Sequence, residues 1–238
     1  MWNTGVVRTY GQYCPIARGA EIFAERWTPL ILRELICGSR RFNDLRRGVP
    51  LMSPSLLSKR LRDLEDAGVL ERNPAQEGEG SEYQLTPAGR ELRPVIEALG
   101  LWGHRWVQRK IRRDELDPAL LMWDVRRCVN PSALPADRRT VVQFELGGVP
   151  RKKALWWLVF DRGEVDLCLK TPGYAIDLRV FSQIRDLVNV WLGHVEPTDA
   201  IRTGSIRLEG SRAQVREFKN WFGPSLVAQL AQANALGG

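Results

Sequence analysis

The chain is poor in the residues from which most catalytic and metal centres are built. Its 238 residues include two histidines, His104 and His194, and four scattered cysteines, Cys14, Cys37, Cys128 and Cys168. No Cys-x-x-Cys pair occurs, which excludes a zinc ribbon or a thioredoxin-type centre, so neither a metal nor a cofactor is expected. In a reducing compartment such cysteines serve as small buried apolar side chains. A Gly-x-Ser-x-Gly elbow, a glycine-rich phosphate loop and a nucleophile with a base beside it are all missing, and no enzyme activity is expected. No apolar run reaches the roughly 18 residues that cross a bilayer, so no membrane partner is expected. The opening Met1-Trp2-Asn3-Thr4-Gly5 lacks the basic-then-apolar order of a secretion leader. The expected location is the cytoplasm.

What is present is the composition of a soluble globular protein, 44% hydrophobic and 26% charged, at a length that suits two domains. The net charge is +7, and it is unevenly placed. Residues 1–113 hold 19 Lys/Arg against 13 Asp/Glu, whereas residues 114–238 hold 16 against 15. A polyanion-binding module joined to a near-neutral one divides its charge in this way.

Helical periodicity runs through the first half. Residues 16–23 predict a short helix, and Thr28-Pro29 opens a second, with Thr28 as N-cap and Pro29 in the first turn. Leu30, Ile31 and Leu35 make that second helix largely buried, and it stops at Cys37-Gly38. A third spans 42–47. Ser53-Pro54 opens a fourth over 54–67, with Leu57, Leu61 and Leu64 on one core-facing stripe and Gly68 as its left-handed cap. Val69-Leu70-Glu71-Arg72 and Glu82-Tyr83-Gln84-Leu85 flank a Gly- and Glu-rich loop and predict a β-hairpin. Thr86-Pro87 then opens one long helix to about Lys110, bearing Leu92, Val95, Ile96, Leu99, Trp102, Trp106 and Val107. This order is that of a winged helix-turn-helix.

Residues 114–139 read as a connector, a tether or a docked bridge, with a helix over 118–128. Beyond it the period changes. Val142, Phe144 and Leu146 alternate with polar residues, as do residues 165–170, and residues 155–160 form a continuous apolar run closed by Asp161-Arg162-Gly163-Glu164. Tyr174, Ile176, Leu178 and Val180 predict a further strand, followed by a helix bearing Ile184, Leu187, Val188 and Trp191. A strand over 205–208, a helix with Val215, Phe218 and Phe222, and a last helix from Pro224 complete the pattern. The fold class is α+β.

On the fourth helix the face opposite the leucines presents Ser55, Ser58, Lys59 and Arg62. Small hydroxyls and cations on one outward face are what a helix entering a major groove needs, and its N-terminus at Ser53 attracts phosphate. Arg40, Arg41, Arg46 and Arg47 bracket the preceding helix and suit phosphate contacts. The tip of the wing carries Glu77, Glu79 and Glu82, which phosphates repel, so Arg72 at its base is the wing's one expected DNA contact.

Several segments in order resemble the HxlR-type winged-helix regulators: Cys14-Pro15-Ile16-Ala17, Arg26-Trp27-Thr28-Pro29-Leu30, Arg41-Phe42-Asn43-Asp44-Leu45, Ser53-Pro54-Ser55-Leu56-Leu57-Ser58-Lys59-Arg60-Leu61 and Tyr83-Gln84-Leu85-Thr86-Pro87-Ala88-Gly89. The resemblance covers about residues 12–110. It implies a homodimer held by the terminal helices on a pseudo-palindromic operator, with residues 53–62 as the recognition helix. Some members sense electrophiles through a cysteine matching Cys14, which makes Cys14 a candidate redox sensor beside its structural reading. Residues 140–222 resemble a sterol-carrier-protein domain of the type-two family, on Asp161-Arg162-Gly163, Asp177, Leu192-Gly193, Ala200-Ile201-Arg202-Thr203-Gly204 and Leu208-Glu209-Gly210. That resemblance implies a five-stranded sheet with helices over it and an apolar or lipid-like effector, for which Trp156, Trp157, Phe160, Trp191, Trp221 and Phe222 are candidate ligands when they are not simply core. The expected domains are 1–113 for DNA binding and dimerisation, 114–139 as connector and 140–238 for the effector. The expected function is a DNA-binding transcriptional regulator. A lipid- or acyl-binding protein whose winged helix serves for dimerisation is the alternative.

Overall fold

The computed structural model describes residues 9–75, 80–107, 110–134 and 138–236. Residues 1–5, Glu77 and Glu79 of the expected wing tip, Pro135 and residues 237–238 lie outside the described residues. The chain divides into two compact units, Met1–Leu99 and Gly100–Gly238.

The first unit contains α1 (Pro15–Phe23), α2 (Thr28–Ile36), α3 (Phe42–Gly48), α4 (Pro54–Asp66), the antiparallel pair β1 (Leu70–Pro74) and β2 (Ser81–Leu85), and α5 (Pro87–Arg90). α6 (Arg93–Trp106) begins in this unit. Its core joins Ile31, Leu32 and Leu35 of α2, Leu45 of α3, and Leu57, Leu61 and Leu64 of α4. Burying each such side chain stabilises the fold by about 1.5–3 kcal/mol. Ser53 caps α4 as its sequence predicts, its hydroxyl accepting from the Leu56 N–H at 3.3 Å.

Three local expectations are corrected. Thr28 does not cap α2: Trp27 takes the N-cap position in the left-handed region at φ 79°, and Thr28 is fully buried. Leu30 faces solvent, 39% exposed, whereas Glu34 is completely buried. The single long helix from Pro87 is two helices. Pro94 has no N–H for the carbonyl of Arg90 and its ring would collide with that group, so the chain turns at Glu91–Leu92 and restarts with Pro94 in the first turn of α6. Gly89 is required where α5 meets the hairpin, because a Cβ there would stand 2.0 Å from the Val69 carbonyl oxygen.

The second unit is built on a five-stranded sheet in the order β5-β4-β3-β6-β7, formed by β3 (Thr140–Gly147), β4 (Leu155–Asp161), β5 (Glu164–Cys168), β6 (Leu178–Gln183) and β7 (Ile206–Gly210). The β3–β6 pair is parallel and the other three are antiparallel. Alternation sends Val142, Phe144, Leu146, Trp156, Leu158, Phe160, Leu178 and Val180 into one core. That core is completed by α7 (Pro118–Cys128), α8 (Ile184–Trp191), α10 (Arg212–Trp221) and Phe222, with α9 (Pro197–Arg202) supplying Ala200. The expected turn at Arg162-Gly163 is present with φ 52° and 82°, the backbone of a two-residue hairpin.

Within residues 114–139, α7 buries Leu121, Met122, Trp123 and Val125, and the first, second and fourth of these belong to the sheet's core. β6 starts at Leu178, so Tyr174 and Ile176 lie outside it; Asp177 exchanges bonds with Val141 through both its backbone and its carboxylate, each at 2.9 Å, which closes the ladder there. The last helix, α11 (Leu226–Leu236), starts after Pro224 because the Ser225 hydroxyl accepts from the Ala228 N–H at 3.2 Å.

Candidate nucleic-acid interface

The outward face of α4 is assembled as its spacing predicts. Ser55, Lys59 and Arg62 are exposed and Ser58 is half-buried, while Leu57, Leu61 and Leu64 hold the opposite side in the core. Lys59 is engaged with Asp63 at 3.1 Å, whereas Arg62 makes no ion pair among the described residues. The hydroxyls of Ser53 and Ser55 stand 3.3 Å apart at the start of the helix, where the first backbone N–H groups point outward. Leu51, just before this cap, is 87% exposed.

Two networks brace the unit, one on α4 itself and one joining α2 to the end of α3, and neither is visible in the sequence pattern. Arg60, with a side chain only 13% exposed, reaches from α4 to Glu25 at 2.9 Å and to Asp63 at 3.3 Å. Glu34, buried on α2, accepts from Arg33 at 2.8 Å and from the Ser39 hydroxyl at 3.1 Å, and Arg33 also donates to the Gly48 carbonyl at 2.9 Å. Gly48 ends α3 against this carboxylate, where a Cβ would come within 1.8 Å of the Glu34 carboxyl carbon.

The family profile of the HxlR-like helix-turn-helix matches residues 22–111. A transcriptional regulator of the HTH type from Synechocystis is 37% identical over 101 residues, which are 42% of this chain and 75% of that protein. YvaP of Bacillus subtilis, likewise named an HTH-type transcriptional regulator, is 34% identical over 98 residues, 40% of this chain and 91% of YvaP. The chain belongs to the HxlR-like helix-turn-helix family. A regulator of the same description from Mycobacterium tuberculosis is 43% identical over 95 residues, and this chain spans 60% of its length.

Within the HxlR-like unit, Arg40, Arg46, Arg47 and Arg72 are exposed, and Arg47 pairs with Asp44 at 3.2 Å. Arg41 stands 3.7 Å from Glu82, and these two residues form a β-bridge while the Tyr83 N–H donates to the Arg40 carbonyl at 2.8 Å. Residues 40–41 thus add a short third strand to the hairpin. Glu82 is therefore no free carboxylate of the wing tip: it is 8% exposed and paired with Arg41.

The six aromatic residues expected to line an effector cavity do not gather around one. Trp156, Phe160, Trp221 and Phe222 pack in the core, with Phe160 edge-on to Trp221 at 5.3 Å. Trp157 lies on the other face of the sheet with Val141 and Val159, and Trp191 is half-buried against the core. A cleft of about 460 Å³ borders Trp221 and Phe222, but Glu196, Lys219, Asn220 and Gln229 also line it. None of the four cysteines forms a disulfide, and each is half-buried rather than buried. Cys14 occupies the N-cap position of α1. Burial, then the charge of Asp166, pushes the Cys168 thiol above its ordinary value. At the N-terminal side of α1, Thr9 and the Tyr10 N–H donate to Glu21 at 2.8 and 2.7 Å and hold its carboxyl below the usual range.

Proposed function

We propose that this protein is a homodimeric, sequence-specific DNA-binding transcription regulator. The observation that carries the reading is the outward face of α4, where Ser55, Lys59 and Arg62 are exposed on a helix whose other side is locked into the core. Placed in a major groove, Arg62 reads base edges, since its guanidinium makes no ion pair among the described residues. Arg40, Arg46 and Arg47 contact phosphates, with Arg41 and Arg72 beside the wing.

Homodimerisation is supported by apolar side chains that the single chain leaves uncovered. α1 and its approach expose Tyr13 at 91% and Ile16 at 82%, and α6 exposes Val95, Leu99, Trp102 and Trp106. Two such helices per chain suit a two-fold interface, which matches a pseudo-palindromic operator. Residues 1–113 form the DNA-binding and dimerising part in this reading. The second unit, a sheet with helices packed on one face, is the effector domain of sterol-carrier type, taking an apolar or lipid-like molecule. Cys14 is the candidate redox sensor, and an undiminished response of Cys14→Ser to diamide removes that role.

Fluorescence anisotropy with DNA from immediately upstream of the protein's own gene, beside scrambled DNA at two salt concentrations, tests the reading. A preference of about a thousandfold with a steep salt dependence is the expected result. Equal weak binding to both DNAs, with a stoichiometric apolar ligand seen by native mass spectrometry, would favour a lipid-binding protein that uses its winged helix for dimerisation.

A further inference from the structure

His104 and His194, the chain's two histidines, are ninety residues apart in sequence and stack in space. Their ring centroids lie 5.7 Å apart and their planes meet at 27°. His104 is half-buried in the last turn of α6; His194 is exposed in the turn after α8, its N–H donating to the Asn189 carbonyl at 2.9 Å. The same junction is closed by α11 through two glycines. A Cβ on Gly100, one turn before His104, would stand 2.8 Å from Val227, and a Cβ on Gly193 would stand 2.8 Å from Ala228. Gln232 of α11 also donates to Glu196 at 3.0 Å.

We propose that the His104–His194 stack is a pH-sensitive latch. Neutral imidazoles hold the C-terminal half of α6 to the turn after α8, and protonation of both rings drives them apart. The charged groups on the surrounding elements are few. α6 carries Arg105 beside His104 and Glu97 two turns back, the turn carries Glu196, and α8 carries Arg185 and Asp186. On α9, Asp199 and Arg202 pair with each other at 3.1 Å, Arg185 donates to the Ile111 carbonyl, and α11 carries no charge.

Two imidazolium charges at this spacing repel each other, and more strongly where the ring faces exclude water. Opening the stack moves the two charges apart, so the open form is favoured once both rings are protonated, and the latch weakens in acid. Because α6 also exposes Trp102 and Trp106, acidity reaches the dimer face proposed above. That consequence rests on the homodimer reading, whereas the latch itself does not.

NMR titration of the full chain between about pH 5 and about pH 8 reads both imidazoles directly. The two imidazoles are expected to titrate as a coupled pair, and His194→Asn is expected to change the titration curve of His104. Hydrogen exchange in α11, corrected for its intrinsic pH dependence, is expected to quicken several-fold from about pH 7.5 to about pH 5.5 in the natural chain and to lose that response in His194→Asn. Circular dichroism checks that the variant folds, and His104→Gln replaces it if it does not. Midpoints that neither substitution moves, or an exchange response that the variant retains, would overturn the latch while leaving DNA binding untouched.

Discussion

Arg60 of α4 and Glu25, which precedes α2, meet at 2.9 Å although thirty-five residues separate them. The Arg60 side chain is 13% exposed and also touches Asp63, so it ties the outward-facing helix to the α1–α2 turn from beneath. Removing the guanidinium leaves Asp63 to Lys59 and frees α4 at its middle. Arg60→Ala is therefore expected to lower stability by about 1–2 kcal/mol, a figure kept small because both carboxylates are partly solvated. Urea unfolding of the full chain measures this, and Glu25→Gln should cost less than half as much.

The elements of the HxlR-like unit were legible because their cues are local. Leu57, Leu61 and Leu64 at helical spacing, Ser53 as cap and Gly68 at φ 70° each depend on a few neighbouring residues. What escaped depends on distant partners. Glu34 looks like a surface carboxylate on α2 until Ser39, Arg33 and Gly48 enclose it. The break before α6 was readable from Pro94, but the long apolar repeat concealed it. In the second unit, the continuous apolar run over 155–160 left Trp156 and Phe160 as either core or effector ligands, because pattern cannot distinguish a packed core from a cavity wall. The meeting of His104 with His194 left no trace in spacing or composition at all.

Gly48 tests the buried carboxylate. A methyl group there would overlap the Glu34 carboxyl, 1.8 Å from its carbon, and Glu34 has its oxygens committed to Arg33 and Ser39. Gly48→Ala should destabilise the chain by about 2–3 kcal/mol through overpacking and disturbed charge pairing. A urea midpoint equal to that of the natural chain would mean that the carboxylate swings aside without cost.

The exposed indoles of α6 test the assembly. Trp102 and Trp106 are 58% and 67% exposed on successive turns, a large apolar area for one chain to leave in water. Trp102→Ser is expected to weaken self-association by at least about tenfold, a loss typical of a buried interfacial tryptophan. Sedimentation velocity over a range of concentrations gives the dissociation constant. A natural chain that sediments as a monomer throughout would remove the homodimer from the proposal.

Arg62 and Arg46 divide the proposed DNA contacts into two kinds. Arg62 sits on the outward face of α4 with no ion pair among the described residues, positioned to meet base edges if that helix lies in the groove. Arg46 is exposed in the last turn of α3, where a cation meets phosphate rather than base. Arg62→Ala should cost about 1–3 kcal/mol on operator DNA, with little change on scrambled DNA. Arg46→Ala should weaken both DNAs alike and reduce the slope of affinity against salt by about one contact. Anisotropy titrations of both variants at several salt concentrations separate the two effects. Arg41 is the wrong residue for this comparison, because its loss would also strip Glu82 of the cation that holds it against the wing. If Arg62 and Arg46 lose specificity equally, α4 is not the element that reads the sequence.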